Sequence, residues 1–240
     1  MRLRAALVAL VASACTACAT HAQPPPAKQP DPFVRSVRSL HQSVVLFTMQ
    51  IPSDDPKKKG SFDDAYGSGL VVASGDWGSQ ILTVEHVIHE ARNLRATVRD
   101  KQGFPARTIA RDERDDLALV ETNAKNLVVA HLGSSAHLEP GTAIGIAGYP
   151  IPDAFVDEGL GTATSVFAGR ISSIVRDALE LDVPVIPGES GGPVFDAQSG
   201  VVVGLAESRF EEEKAIGFAI PIDDAKRFMA HTKGARVAVR

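Results

Sequence analysis

The chain has 240 residues, 44% of them apolar, and a net charge of −4. That much apolar material can bury a sizeable core, in one domain or two closely joined halves, which excludes a disordered tail. The cationic residues are scattered rather than gathered into a stripe, so the electrostatic footprint of a nucleic-acid binder is missing.

The chain opens with a basic "MRLR" and the apolar run "AALVALVASA", too short for a permanent bilayer span and followed by small residues. This reads as an export signal over residues 1–22. Ala12 and Ala14 fit a small-x-small cleavage pattern with Cys15 directly after it, an arrangement that resembles a bacterial lipoprotein processing site; Cys18 is a second, poorer fit. Lipidation at Cys15 and simple secretion both stay open, and a lipid anchor is the only membrane attachment expected. Both cysteines fall in this segment, so the folded part is expected to hold no disulfide and to rely on its core. Residues 23–32, rich in proline, form an extended spacer. The folded domain is expected over residues 33–240.

"DPFVRSVRSLHQS" predicts a short helix, and ten runs rich in β-branched residues follow between turn signals: "SVVLFTMQ", "SGLVVAS", "QILTVEHV", "LRATVRD", "LALVET", "AIGIAGYP", "TATSVFAGRISSI", "ALELDVPV", "VVVGLAES" and "AIGFAIP". Many short strands at fairly even spacing predict a mainly β chain, as an antiparallel barrel or sandwich. Two halves of similar strand density run over about 33–125 and 135–222. Residues 52–66, with Lys57, Lys58 and Lys59, read as an exposed, solvated loop. Glu211, Glu212 and Glu213 read as a solvated hairpin tip that lies near enough to the last strands to border a cleft. "DDAKRFMA" predicts a C-terminal helix with an aspartate as N-cap.

Chemistry is concentrated in "PGESGGP", residues 187–193. A serine beside glycine is ordinary turn chemistry, but flanking glycines also allow unusual backbone angles and close substrate approach. Such a turn can aim the N–H groups of Gly188 and Ser190 at one point, where they would hold the oxygen of a tetrahedral intermediate. A serine needs a base, and the base needs an orienting carboxylate. His86, at the end of the apolar run "ILTVEHVI", and Asp116, preceding "LALV", supply candidates. His86 and His89, three apart, lack the HExxH order and predict no metal site. No glycine cluster is followed by the lysine of a phosphate loop, and no cofactor is expected.

His86, Asp116 and Ser190 stand in the chain order of chymotrypsin-type proteases. "LTVEHV", "DLAL" and "GESGGP" resemble the three motifs of the trypsin-like serine peptidases. "GSGLVV", "LGSSAHLEPGTAIGIAGYP", "GTATSVFAGRIS", "PGESGGPVFD" and "IGFAIP" resemble, in order, the bacterial HtrA/Deg branch over about residues 40–225. The resemblance implies two six-stranded antiparallel β-barrels packed together with a short C-terminal helix, the triad His86, Asp116 and Ser190, and an oxyanion hole from Gly188 and Ser190. It further implies that Ala206, Glu207 and Ser208 pair with an extended polypeptide substrate, and it leaves an oligomer open. Glu189 replaces the usual asparagine or aspartate, Pro184 stands where a small residue is usual, and the chain ends too soon after its terminal helix to predict a PDZ domain. A serine endopeptidase of the cell envelope is the expected function. A catalytically silent module of the same fold, binding unfolded or extended chains, is the alternative.

Overall fold

The computed structural model describes residues 30–98, 103–176, 178–208 and 216–237. Twelve strands close two antiparallel barrels. The first is built from β1 (Val44–Pro52), β2 (Phe62–Gly75), β3 (Gly78–Thr83), β4 (Arg92–Val98), β5 (Phe104–Asp112) and β6 (Leu117–Thr122). The second contains β7 (Ala143–Gly148), β8 (Ser165–Val175), β9 (Ala178–Leu181), β10 (Pro193–Asp196), β11 (Val202–Glu207) and β12 (Gly217–Pro221). Closure leaves no long open edge in either barrel, and it accounts for strands such as β3 and β6 that are buried nearly throughout.

Among the described residues, four α-helices decorate the barrels: α1 (Pro32–Leu40), α2 (Glu85–Ile88), α3 (Pro152–Asp157) and α4 (Ile222–His231). The expected helix at the start of the domain is α1, capped by Asp31 through its side chain. The C-terminal helix is α4, but the aspartate cap is a correction: Pro221 is the N-cap and makes no side-chain bond. Asp223 sits inside the first turn, where its carboxylate accepts from the N–H of Ser135 and the hydroxyls of Ser134 and Ser135, tying the helix to the inter-barrel connection. The loop expected over residues 52–66 is shorter than that. Its middle holds a 3-10 turn at Pro56–Lys58, whereas Phe62 to Tyr66 already pair with β1.

Each barrel has its own apolar centre, around Phe47, Ile81 and Val120 in the first and Ile146, Leu181 and Val194 in the second. A third cluster joins them, bringing Leu70, Leu82 and Leu119 of the first barrel against Phe195, Leu205 and Ile220 of the second, with Met229 of α4. Burial of this shared surface fixes the barrels against each other.

Candidate active site

His86 lies in α2, one turn of helix that follows β3, not at a strand end as expected. Glu85 anchors that turn. Its nearly buried carboxylate takes a hydrogen bond from His89 Nδ1 at 3.0 Å and approaches Arg111 Nη1 at 3.4 Å, while its N–H donates to the Asp116 carbonyl at 3.2 Å. Asp116 stands just before β6 with φ +49°, in the left-handed region that aspartate tolerates better than most residues. That bend turns its carboxylate back onto α2. Oδ1 accepts the His86 backbone N–H at 2.9 Å, and Oδ2 lies 2.7 Å from His86 Nδ1. Burial by itself lowers the His86 pKa, but the Asp116 hydrogen bond and the carboxylates of Asp116, Glu207 and Glu85 outweigh it and raise the imidazole above its ordinary 6.5.

Ser190 comes from the second barrel and is nearly buried. With His86 it borders a cleft of about 930 Å³ between the barrels, a size suited to a peptide segment. Among the described residues no hydrogen bond joins Ser190 Oγ to His86. The turn before it is pinned plane by plane. The Pro187 carbonyl accepts from Ile151 N–H at 2.8 Å, the Gly188 carbonyl from Ser68 Oγ at 2.7 Å, and the Glu189 carbonyl from Gly192 N–H at 2.8 Å. Among the described residues all peptide bonds are trans, so each N–H points opposite to its anchored carbonyl. The N–H groups of Gly188 and Ser190 donate to no acceptor among the described residues. They are the two groups named from the sequence as oxyanion donors. Gly188 adopts φ +96°, and a Cβ there would stand 2.2 Å from the Tyr149 carbonyl, so glycine is required on both counts.

Of the three residues assigned to substrate pairing, Ala206 faces the nucleophile turn. Both of its backbone polar groups are engaged by the nucleophile turn, the carbonyl by Gly191 N–H and the N–H by the Gly192 carbonyl, each at 2.8 Å. Glu207 is 6% exposed, and its carboxylate is one of those that raise the His86 pKa. Ser208 alone lines the cleft. Pro184, Val185, Ile186 and Ile216 line it as well. The acidic run Glu211 to Glu213 and Cys15 lie outside the described residues.

Two contributors escaped the sequence reading. Ser68, in β2, appeared only as the first residue of the strand run "SGLVVAS" and within "GSGLVV". Ile151 holds the left-handed conformation (φ +36°, ψ +54°), costly for a β-branched side chain, at the start of α3; it supplies the N–H that anchors Pro187 and exposes its side chain to the cleft.

A model of the trypsin-like peptidase domain matches residues 67–205, more than half of the chain. The chain belongs to the trypsin-like peptidase family. Among curated members, it is 30% identical over 197 residues to the putative serine protease HhoB of Synechocystis, covering 76% of this chain and 43% of HhoB. It is 32% identical over 170 residues to a probable periplasmic serine endoprotease, DegP-like, of Pseudomonas fluorescens, covering 66% of this chain and 33% of that protein. The chain thus spans less than half the length of these trypsin-like relatives. Solved peptidases of the same fold include the HtrA-type protease AlgW with a tripeptide (TM-score 0.68, 25% identity, 84% of this chain and 63% of that one). A serine endoprotease from Yersinia pestis superposes with a TM-score of 0.66 at 27% identity, over 85% of this chain and 67% of that one. The HtrA/Deg resemblance read from the sequence agrees with these relatives, and so does the two-barrel architecture.

Proposed function

We propose that the protein is a serine endopeptidase in which Ser190 attacks a peptide carbonyl, His86 takes the proton and returns it to the leaving amine, and Asp116 holds the imidazole in the required tautomer. The observation that carries the reading is the 2.7 Å contact of Asp116 with His86 Nδ1, which leaves Nε2 as the ring nitrogen open to the cleft that Ser190 borders. The N–H groups of Gly188 and Ser190 stabilise the oxyanion and the acyl-enzyme is released by water. Export to the periplasm fits the leader and the names of the Pseudomonas relatives, with lipidation at Cys15 as its finer form.

The test is labelling with a fluorophosphonate probe. The wild-type protein is expected to label, and Ser190→Ala and His86→Ala are expected not to. Absence of labelling in a folded wild type would favour a silent module that binds extended chains, a reading supported by the missing Ser190–His86 hydrogen bond. That bond commonly tightens only with substrate present.

The pocket beside Ser190 is walled by Val185, Ile186 and Ile216, whereas the carboxylates that line the cleft among the described residues, Asp54 and Glu90, belong to the first barrel. Cleavage is therefore expected after small aliphatic residues. Profiling with a mixture-based peptide library checks this, and strict cleavage after arginine or lysine would refute it.

A further inference from the structure

We infer that Ser68 is a positioning residue for the oxyanion hole, a clamp supplied by the first barrel to the nucleophile turn of the second. This rests on the endopeptidase reading above. Ser68 is fully buried in β2 and reaches the turn with both backbone and side chain. Its N–H donates to the Ser190 carbonyl at 2.9 Å, and its Oγ donates to the Gly188 carbonyl at 2.7 Å. The same Oγ accepts from Tyr149 N–H at 3.0 Å, which leads into α3 and the Ile151 anchor. On its own barrel, the Ser68 carbonyl accepts from Thr83 Oγ1 at 2.7 Å, three residues before His86. One serine thus touches the turn on both sides of Glu189 and, through Thr83, the strand that delivers the base.

The reason such a clamp is needed lies in the turn's own chemistry. Gly188 and Gly191 both have positive φ, at +96° and +84°, and glycine peptides rotate with little resistance. Rotation of the peptide after Gly188 would disturb the neighbouring plane that presents the Gly188 N–H. The Ser68 hydroxyl opposes that rotation by holding the Gly188 carbonyl, and the Ser68 N–H fixes the far side of the nucleophile. The spacing is tight: a Cβ at Gly191 would lie 2.3 Å from the Ser68 carbonyl and 2.2 Å from Thr83 Oγ1. Ser68 therefore couples the barrel interface to the direction of two N–H groups without touching the reacting atoms.

The test compares Ser68→Ala with Ser79→Ala, which also removes a buried hydroxyl from the first barrel, one that donates to the Ala124 carbonyl at 2.6 Å, away from the cleft. Three readouts are taken: the fluorophosphonate labelling rate, kcat and KM on an internally quenched peptide with valine before the cut, and amide hydrogen exchange over residues 186–192. Since loss of one oxyanion donor costs about 10²–10³ in kcat, a loosened donor pair in Ser68→Ala should lower kcat and labelling about 30-fold or more with KM little changed. Exchange over 186–192 should rise at least about tenfold. Ser79→Ala should stay near wild type in all three. A Ser68→Ala enzyme within about threefold of wild type, or an equal loss in Ser79→Ala, overturns the clamp. If the wild type itself neither labels nor cleaves, the endopeptidase reading falls, and exchange over 186–192 alone decides whether Ser68 holds the turn.

Discussion

Asp116→Asn is expected to lower kcat about 10⁴-fold while changing KM only slightly. Asparagine suits this position because it tolerates the left-handed backbone that Asp116 adopts at φ +49°, and its amide oxygen can keep the bond from His86 N–H. What it cannot keep is the acceptor facing His86 Nδ1. An amide N–H there forces the proton of the neutral imidazole onto Nε2, and that nitrogen can no longer take a proton from Ser190. Asp116 also helps raise the His86 pKa above 6.5, against the opposing effect of burial. The acid limb of kcat/KM, where protonation removes the base, should accordingly move to lower pH in the residual activity of the variant. Steady-state kinetics on the valine peptide across pH 5–9 check both points. A variant within tenfold of wild type would mean that Asp116 does not set the tautomer.

The motifs around His86, Asp116 and Ser190 were legible because each is local: a few residues on either side define a turn or a strand end. The strand count was less so. β5, "FPARTIARD", carries two arginines and a proline and is half-exposed along its length, so it shows no apolar run. β10 is only four residues long and begins at the proline that closes the nucleophile turn, so it reads as part of that turn. Glu207 illustrates a burial limit. β11 is buried along its whole length, and nothing in "LAES" itself says that its glutamate lies inside. Ser68 lay furthest from view, since the Gly188 carbonyl it holds is 120 residues away in the chain. Contacts across the barrel interface leave no periodic trace in sequence.

Glu189 replaces the usual shorter acid or amide of the nucleophile turn, and it should make the protein's stability fall as pH rises from about 4.5 to about 7. The side chain is fully buried, with Oε2 accepting the Ile186 N–H at 2.8 Å and Oε1 lacking any partner among the described residues. Burial pushes its pKa up to about 7, and the Ile186 hydrogen bond offsets only part of that. The folded protein therefore holds this proton between about 4.5 and 7, where the unfolded chain has released it, so the native state is favoured below that window and loses the advantage across it. The gap corresponds to about 3 kcal/mol. Asp63 and Asp223 have lowered pKa values and act in the opposite sense at low pH, so the difference from Glu189→Gln isolates the buried group. Urea unfolding at pH 4.5, 6 and 8 should show wild type losing about 3 kcal/mol relative to Glu189→Gln over that range. Parallel curves would mean that the carboxylate is solvated in the folded protein. The consequence for catalysis follows from where the group sits. His86 becomes a usable base only above its raised pKa, while Glu189, the residue between Gly188 and Ser190, takes on its charge near 7. Activity should thus carry an alkaline limb that Glu189→Gln removes.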